Sequence, residues 1–190
     1  DALPPAWVAE IKKQNGTVDV FPWEIAYSPA NGLNWSPNPV FQTYSAYTSY
    51  LDTWSAGHFI GEKAPEFLIV EFTAIDGRHL MLDVPATWQA ILHNYRLAQK
   101  DPDSGLLLLQ KSPSPIPDDD RNVLSQGTIE SNRWIVVPRS NKLLFAGIDL
   151  KLSFLGKITK TLFWIEPVYI EFLYESGKSA SFRIIPDTAE

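Results

Sequence analysis

The sequence predicts an α/β layer followed by an antiparallel β part, and three observations carry that expectation. Up to residue 111, short apolar runs alternate with segments of helical spacing; a Pro- and Asp-rich stretch then interrupts the chain; beyond it, apolar and polar residues alternate with a period of two. Residues 1–111 are therefore expected to form a small, mostly parallel α/β sheet layer rich in aromatics. Residues 112–123 read as a linker, and 124–190 as an antiparallel β-meander or sandwich.

Taken in order, Thr17-Val18-Asp19-Val20-Phe21-Pro22 reads as a short buried strand, because β-branched residues cluster and Pro22 has no N–H to continue a ladder. Trp23 to Ala30 fits a short helix ended by Asn31-Gly32. Pro39-Val40-Phe41-Gln42 suggests a second strand. Ser45 to Phe59 is helix-compatible, with Tyr47, Tyr50, Leu51 and Trp54 at the spacings of one helical face. Phe67 to Phe72 opens with four successive apolar residues, as a strand covered on both faces does. Pro85 to Tyr95 places Pro at a first-turn position and Trp88, Ile91, Leu92 and Tyr95 on one face, so a helix is expected there. Leu106 to Gln110 returns as a strand.

Ser112 to Asp120 carries three prolines and three adjacent acids, which resist both helix and packing, and marks the boundary. Past it, Trp134 to Val137, Leu143 to Phe154, Lys157 to Trp164, Val168 to Tyr174 and Ser179 to Ile185 read as strands. Leu155-Gly156-Lys157 and Glu175-Ser176-Gly177-Lys178 supply hairpin turns.

Composition narrows the function classes. A hydrophobic share of 45% over 190 residues can furnish a core. The net charge of −6, with no run of Lys or Arg, argues against nucleic acid as a partner. Without Cys, disulfides, thiolate metal sites and a Cys nucleophile are excluded. Apolar runs such as Gly105 to Leu109 and Leu162 to Ile165 fall far short of the roughly 20 residues of a spanning helix. Gly-rich phosphate loops, a Gly-x-Ser-x-Gly elbow and a His-Glu-x-x-His helix are absent, and no cofactor is expected. His58, His79 and His93 share no ligand spacing, so Asp76-Gly77-Arg78-His79 with Asp83 reads as a turn with a salt-bridged Arg, and no metal is expected. Asn15-Gly16-Thr17 and Asn34-Trp35-Ser36 match the glycosylation sequon. The chain opens at Asp1 without an initiator Met and stops directly after a strand-like run, which reads as a piece of a longer protein.

The stretch from Phe21 to Phe59 sets Phe21, Trp23, Tyr27, Trp35, Phe41, Tyr44, Tyr47, Tyr50, Trp54 and Phe59 among Asp19, Glu24, Asn31, Asn34, Gln42, Ser45 and Asp52. Flat apolar rings beside carboxylates and amides suit a carbohydrate, whose C–H face stacks while its hydroxyls form charge-assisted hydrogen bonds. In that reading Trp23, Trp35, Tyr44 and Tyr47 stack, and Asp19, Glu24, Gln42, Asp76 and Arg78 bond hydroxyls. The alternative is an aromatic core with local partners for its polar atoms. A hydrolase reading makes Asp19 with Glu24 or Asp76 the acid and base. Asp19, in an otherwise apolar strand, costs free energy unless partnered and is the first candidate for a functional acid. A third reading is a protein-interaction module.

Three segments carry a resemblance: Val18 to Glu24, Gly32 to Thr48, and Ile75 to Arg78, with Phe182 to Ala189 as a fourth, later one. In these the chain resembles a group of bacterial multi-spanning membrane proteins in which a glycosyltransferase-like membrane part precedes an extracytoplasmic part. The resemblance implies an ectodomain outside a bacterial cytoplasmic membrane, attached only through a segment not present here; joined to the aromatic and polar first half, this gives the first reading, a part of envelope metabolism with carbohydrate or lipid-linked sugar as its partner. It brings no catalytic residue to carry over.

Overall fold

A computed structural model of the chain describes residues 2–116, 122–150 and 167–185. The first element, α1 (Pro5–Lys13), was not foreseen. Prolines at its start set φ where no N–H is needed, Lys12 and Lys13 favour its carboxyl end, and Trp7 and Ile11, one turn apart, are buried. Then come β1 (Thr17–Phe21), α2 (Tyr27–Ala30), β2 (Asn34–Trp35), a 3-10 turn at Thr43–Ser45, α3 (Ser49–His58), β3 (Phe67–Val70), α4 (Leu80–Asp83), α5 (Pro85–Asn94), β4 (Tyr95–Lys100) and β5 (Leu107–Lys111). The second half contributes β6 (Val168–Leu173) and β7 (Ser179–Ile184).

Five strands form one mixed sheet in the order β2-β1-β3-β5-β4, and β6 and β7 form a separate antiparallel pair. β1 lies parallel to both β2 and β3, whereas β3 with β5 and β5 with β4 are antiparallel. The sheet is therefore parallel only at one end. β4 and β5 are neighbours in sequence and need only a short turn, which an antiparallel pair permits and a parallel pair does not.

Both faces of the sheet are covered, and side chains alternate between them. Val18 and Val20 of β1, with Phe67 and Ile69 of β3, meet Trp7 and Ile11 of α1. Phe21, Leu68 and Val70 turn the other way and meet Phe59, Trp88, Ile91 and Tyr95. Phe21 stands edge-on to Trp88 at 5.3 Å and to Phe59 at 6.1 Å, a geometry that favours aromatic pairs by about 0.5–1.5 kcal/mol beyond burial.

Several expectations need correction. The second strand is Asn34–Trp35 rather than Pro39 to Gln42. Pro37 and Pro39 withdraw two donors, and the Asn38 Oδ1 accepts from the Val40 N–H at 3.1 Å, turning the chain instead. The helix expected from Ser45 begins at Ser49, because Thr48 caps it by accepting from the Leu51 N–H at 3.3 Å. The segments Trp134 to Val137 and Leu143 to Leu150 form no strand; Val136 is 91% exposed, and among the described residues no backbone pairs with them. Alternation signals a strand only where a partner edge completes the ladder. The remaining expectations at 117–121, 151–166 and 186–190, including the Leu155-Gly156-Lys157 turn, lie outside the described residues. The other turn is present, with Gly177 at φ 78° and its N–H donating to the Tyr174 carbonyl at 2.9 Å.

The β6–β7 hairpin meets the loop after β3. The Arg183 N–H donates to the Gly77 carbonyl at 2.9 Å, and Phe182 stands edge-on to His79 at 4.9 Å. Gly77, Phe182 and Arg183 belong to two of the segments that carry the resemblance.

Candidate functional site

Because β1, β2 and β3 run parallel, their carboxyl ends at Phe21, Trp35 and Val70 share one edge of the sheet. With β1 between β2 and β3, the chain leaves β1 toward one side and reaches β3 on the other, which opens a switch point between the loops that follow β1 and β3. The loop after β1 carries Trp23 and Glu24, that after β2 carries Phe41, Gln42, Tyr44 and Tyr47, and that after β3 carries Asp76 and Arg78. Three hydrogen bonds sew them together: Thr43 N–H to Pro22 O at 3.2 Å, Glu71 N–H to Phe21 O at 2.9 Å, and Arg78 Nη1 to Tyr44 O at 3.2 Å.

Arg78 is the hub of this edge. It is buried, pairs with Asp83 at 3.0 Å and with Asp76 at 3.6 Å, and its guanidinium lies 5.5 Å from the centre of the Tyr47 ring. Burial alone would lower its pKa, but Asp83 and Tyr47 outweigh burial and raise it. Burial raises the Asp83 carboxyl although Arg78 pulls it back. Arg78 thus fixes the Tyr44–Tyr47 loop, and Asp76, at φ 55°, remains largely exposed beside it.

Two ring pairs involve these loops. Trp23 stands edge-on to Tyr44 at 5.8 Å, and Trp35 is tilted against Phe41 at 5.9 Å. Glu24 is half-buried; with Glu71 it surrounds the Tyr27 hydroxyl, which burial and then these two charges hold above its ordinary range. Gln42 is exposed.

Asp19 sits within β1, paired with Leu68, and is 1% exposed. Its carboxylate accepts from Val20 N–H at 2.8 Å, Trp35 Nε1 at 3.2 Å and Asn38 N–H at 3.0 Å, and His58 Nε2 lies 3.3 Å away. These donors settle the cost of a buried charge. No hydrogen bond joins Asp19 to Glu24 or Asp76. Its geometry is that of a scaffold group holding the Trp35–Asn38 turn, and Trp35 commits its indole N–H to the same purpose.

The helix α3 has an inverted orientation. The sequence places Tyr47, Tyr50, Leu51 and Trp54 on one face, and a core is the ordinary destination for such a face. Here Tyr50 is 72% and Trp54 53% exposed, while Asp52, Ser55 and Ala56 are buried. Asp52 turns inward to bind the start of α5, where its carboxylate accepts from Ala86 N–H at 2.8 Å, Thr87 N–H at 2.9 Å and Thr87 Oγ1 at 2.7 Å. That tertiary cap dictates which side of α3 faces water. Tyr50, Trp54 and His58 were not among the expected site residues; their four-residue spacing is the signal that would have found them.

At the opposite edge of the sheet, Ile11, Lys12, Asn15, Gly16, Gly32, Leu33 and Asn34 line a depression of about 110 Å³, below the several hundred Å³ of a small-molecule pocket. Among the described residues no three His, Asp or Glu side chains gather as a metal site, and no helix is long and apolar enough to cross a membrane. Comparison with protein-family models, with curated proteins and with solved structures returns no match.

Proposed function

We propose that the protein is a carbohydrate-recognition module that binds sugar at the carboxyl edge of its parallel strands. The observation that carries this reading is the outward-facing stripe of Tyr50 and Trp54, whose rings lie 6.4 Å apart and 34° from coplanar. Exposing large rings while burying an Asp and a Ser on the same helix forgoes hydrophobic stabilisation, and an exposed aromatic patch marks a binding surface. Tyr47, held by Arg78, is exposed three residues before Tyr50, and Glu24, Gln42 and Asp76 on the loops at the carboxyl edge are the candidate hydroxyl partners.

The resemblance noted above supports placing this module in an extracytoplasmic part of a bacterial membrane protein handling envelope polysaccharide or lipid-linked sugar. The β6–β7 hairpin of the second half serves as a packing module docked at Gly77 and His79. The hydrolase alternative, with Asp19 and Glu24 or Asp76 as acid and base, is the less favoured reading, because Asp19 is 1% exposed and held by three N–H donors.

Trp54→Ala tests the proposal. Because Trp54 is largely exposed, its removal leaves the fold intact. Affinity for a neutral hexose oligosaccharide, measured by calorimetry, should fall at least about tenfold, or roughly 1.4 kcal/mol. Unchanged affinity would remove the stripe from the site. A concentration-dependent protein complex without any sugar binding would favour the interaction module.

A further inference from the structure

The stripe on α3 ends in a histidine. Tyr50, Trp54 and His58 follow at four-residue steps along one side of the helix, with neighbouring Cβ atoms about 5–6 Å apart. His58 keeps 13% of its side-chain surface exposed. Its Nε2 lies 3.1 Å from the Ser36 carbonyl oxygen and 3.3 Å from Asp19 Oδ2. A carbonyl and a carboxylate only accept, so Nε2 carries the proton and donates to both. In the neutral ring that leaves Nδ1 as a lone pair.

The ring has little freedom to change this assignment. Turning it would take the donor away from a buried carboxylate that three other groups hold in place. Phe59 stands edge-on to the imidazole at 5.0 Å and closes one side of it. Among the described residues no hydrogen bond to Nδ1 is formed.

We propose that His58 is a ligand-binding residue, presenting a fixed Nδ1 acceptor at the end of the Tyr50–Trp54 platform to a hydroxyl of the bound carbohydrate. The proposal rests on the carbohydrate reading and narrows it: the ligand must offer an O–H donor next to the C–H face stacked on Trp54. An apolar occupant has nothing to donate to Nδ1. An anionic one meets a lone pair backed by the Asp19 carboxylate. A neutral sugar supplies both the apolar face and the donor. Asp19 is a positioning residue in this arrangement, acting through the imidazole.

The tautomer is measured first, in the full chain without ligand, by long-range proton–nitrogen correlation of the histidine rings, with His58→Gln identifying the resonance. An Nε2–H tautomer at neutral pH is expected; an Nδ1–H tautomer overturns the proposal whatever the sugar result. Binding of maltohexaose, cellohexaose and mannohexaose is then compared across wild type, His58→Phe, His58→Gln and Trp54→Ala, with circular dichroism confirming the fold of each. His58→Phe should weaken the oligosaccharide that wild type binds by at least tenfold. His58→Gln, which keeps a donor for Asp19 and an acceptor for the ligand, should recover most of that loss. Wild-type affinity in His58→Phe alongside loss in Trp54→Ala defeats the His58 assignment and leaves the carbohydrate reading standing. No binding of any of the three by wild type defeats both.

Discussion

Replacing Asp52 with Ala removes the start signal that α5 receives from another helix. Val84, at the N-cap position of α5, makes no side-chain cap, and Pro85 follows it, so the carboxylate of Asp52 is what meets the Ala86 and Thr87 N–H groups. The Thr87 hydroxyl loses one partner but keeps the Asp52 carbonyl at 3.1 Å, so its contribution largely survives. Two N–H groups losing a charged acceptor at a helix N-terminus cost about 2–3 kcal/mol. Against that, Asp52 is 2% exposed, and burial holds its carboxyl above its ordinary value despite the bonds from Thr87 and Ala86. Relief of that desolvation returns part of the loss, leaving a net cost of about 2 kcal/mol. Urea unfolding followed by tryptophan fluorescence should show a midpoint about 1 M lower with an unchanged slope.

The raised carboxyl also sets a sign with pH. The folded state holds the Asp52 proton more tightly than the unfolded chain does, so the contribution of Asp52 is complete below its ordinary pKa of 3.8 and declines as pH rises through its folded value. The gap between wild type and Asp52→Ala should therefore be wider near pH 4 than at pH 7. A stability within about 0.5 kcal/mol of wild type, with the Ala86 and Thr87 amides as protected from exchange as before, would refute the tertiary cap.

Two other outcomes follow from single residues. Gly16→Ala would set a Cβ 2.6 Å from Cε2 of the buried Phe67, so thermal unfolding should report a loss of about 1–3 kcal/mol; an unchanged melting temperature would mean that Phe67 moves freely. His79 caps α4 by accepting from the Met81 N–H at 3.3 Å, and burial lowers its pKa from 6.5. Its neutral form is the one the fold favours, so stability is full above pH 6.5 and is lost as pH falls through the folded value. His79→Asn keeps a capping acceptor without a titrating ring, and urea midpoints between pH 7 and 5 should fall less steeply for it; equal slopes would discount His79.

The elements legible in the sequence are those decided by their own residues. The strands β1, β3 and β5 were visible as apolar runs, α5 as a proline-led apolar face, and β6 with β7 through the Glu175–Lys178 turn. The β2 strand escaped because its two residues follow the register of β1 rather than any pattern of their own. In β4 only Tyr95 is buried, so there was no alternation to read. At the site, the sequence already groups Trp23, Glu24, Gln42, Tyr44, Tyr47, Asp76 and Arg78 as candidates, and the structure places them on the three loops that leave the carboxyl ends of β1, β2 and β3. Asp19 reads from the sequence as a carboxylate that needs partners and as the first candidate for a functional acid; the partners, Trp35, Asn38 and His58, come from distant positions that no local pattern links. The outward turn of α3 was hidden for the same reason, being set by the Asp52 bond to a helix about 35 residues away.

The attachment of the β6–β7 hairpin at Gly77 and His79 has a kinetic meaning. The β4 and β5 strands meet across a short turn and can zip together early, β3 joins them across a loop of some forty residues, and β1 then reaches β3 over a longer one. The contact between Arg183 and Gly77 spans roughly a hundred residues and so closes a longer loop than the pairings of β1, β3, β4 and β5 do. During synthesis, the edge bearing Arg78 and the aromatic stripe assembles before the hairpin has left the ribosome, and the ring of Phe182 arrives at His79 on a surface that is already built.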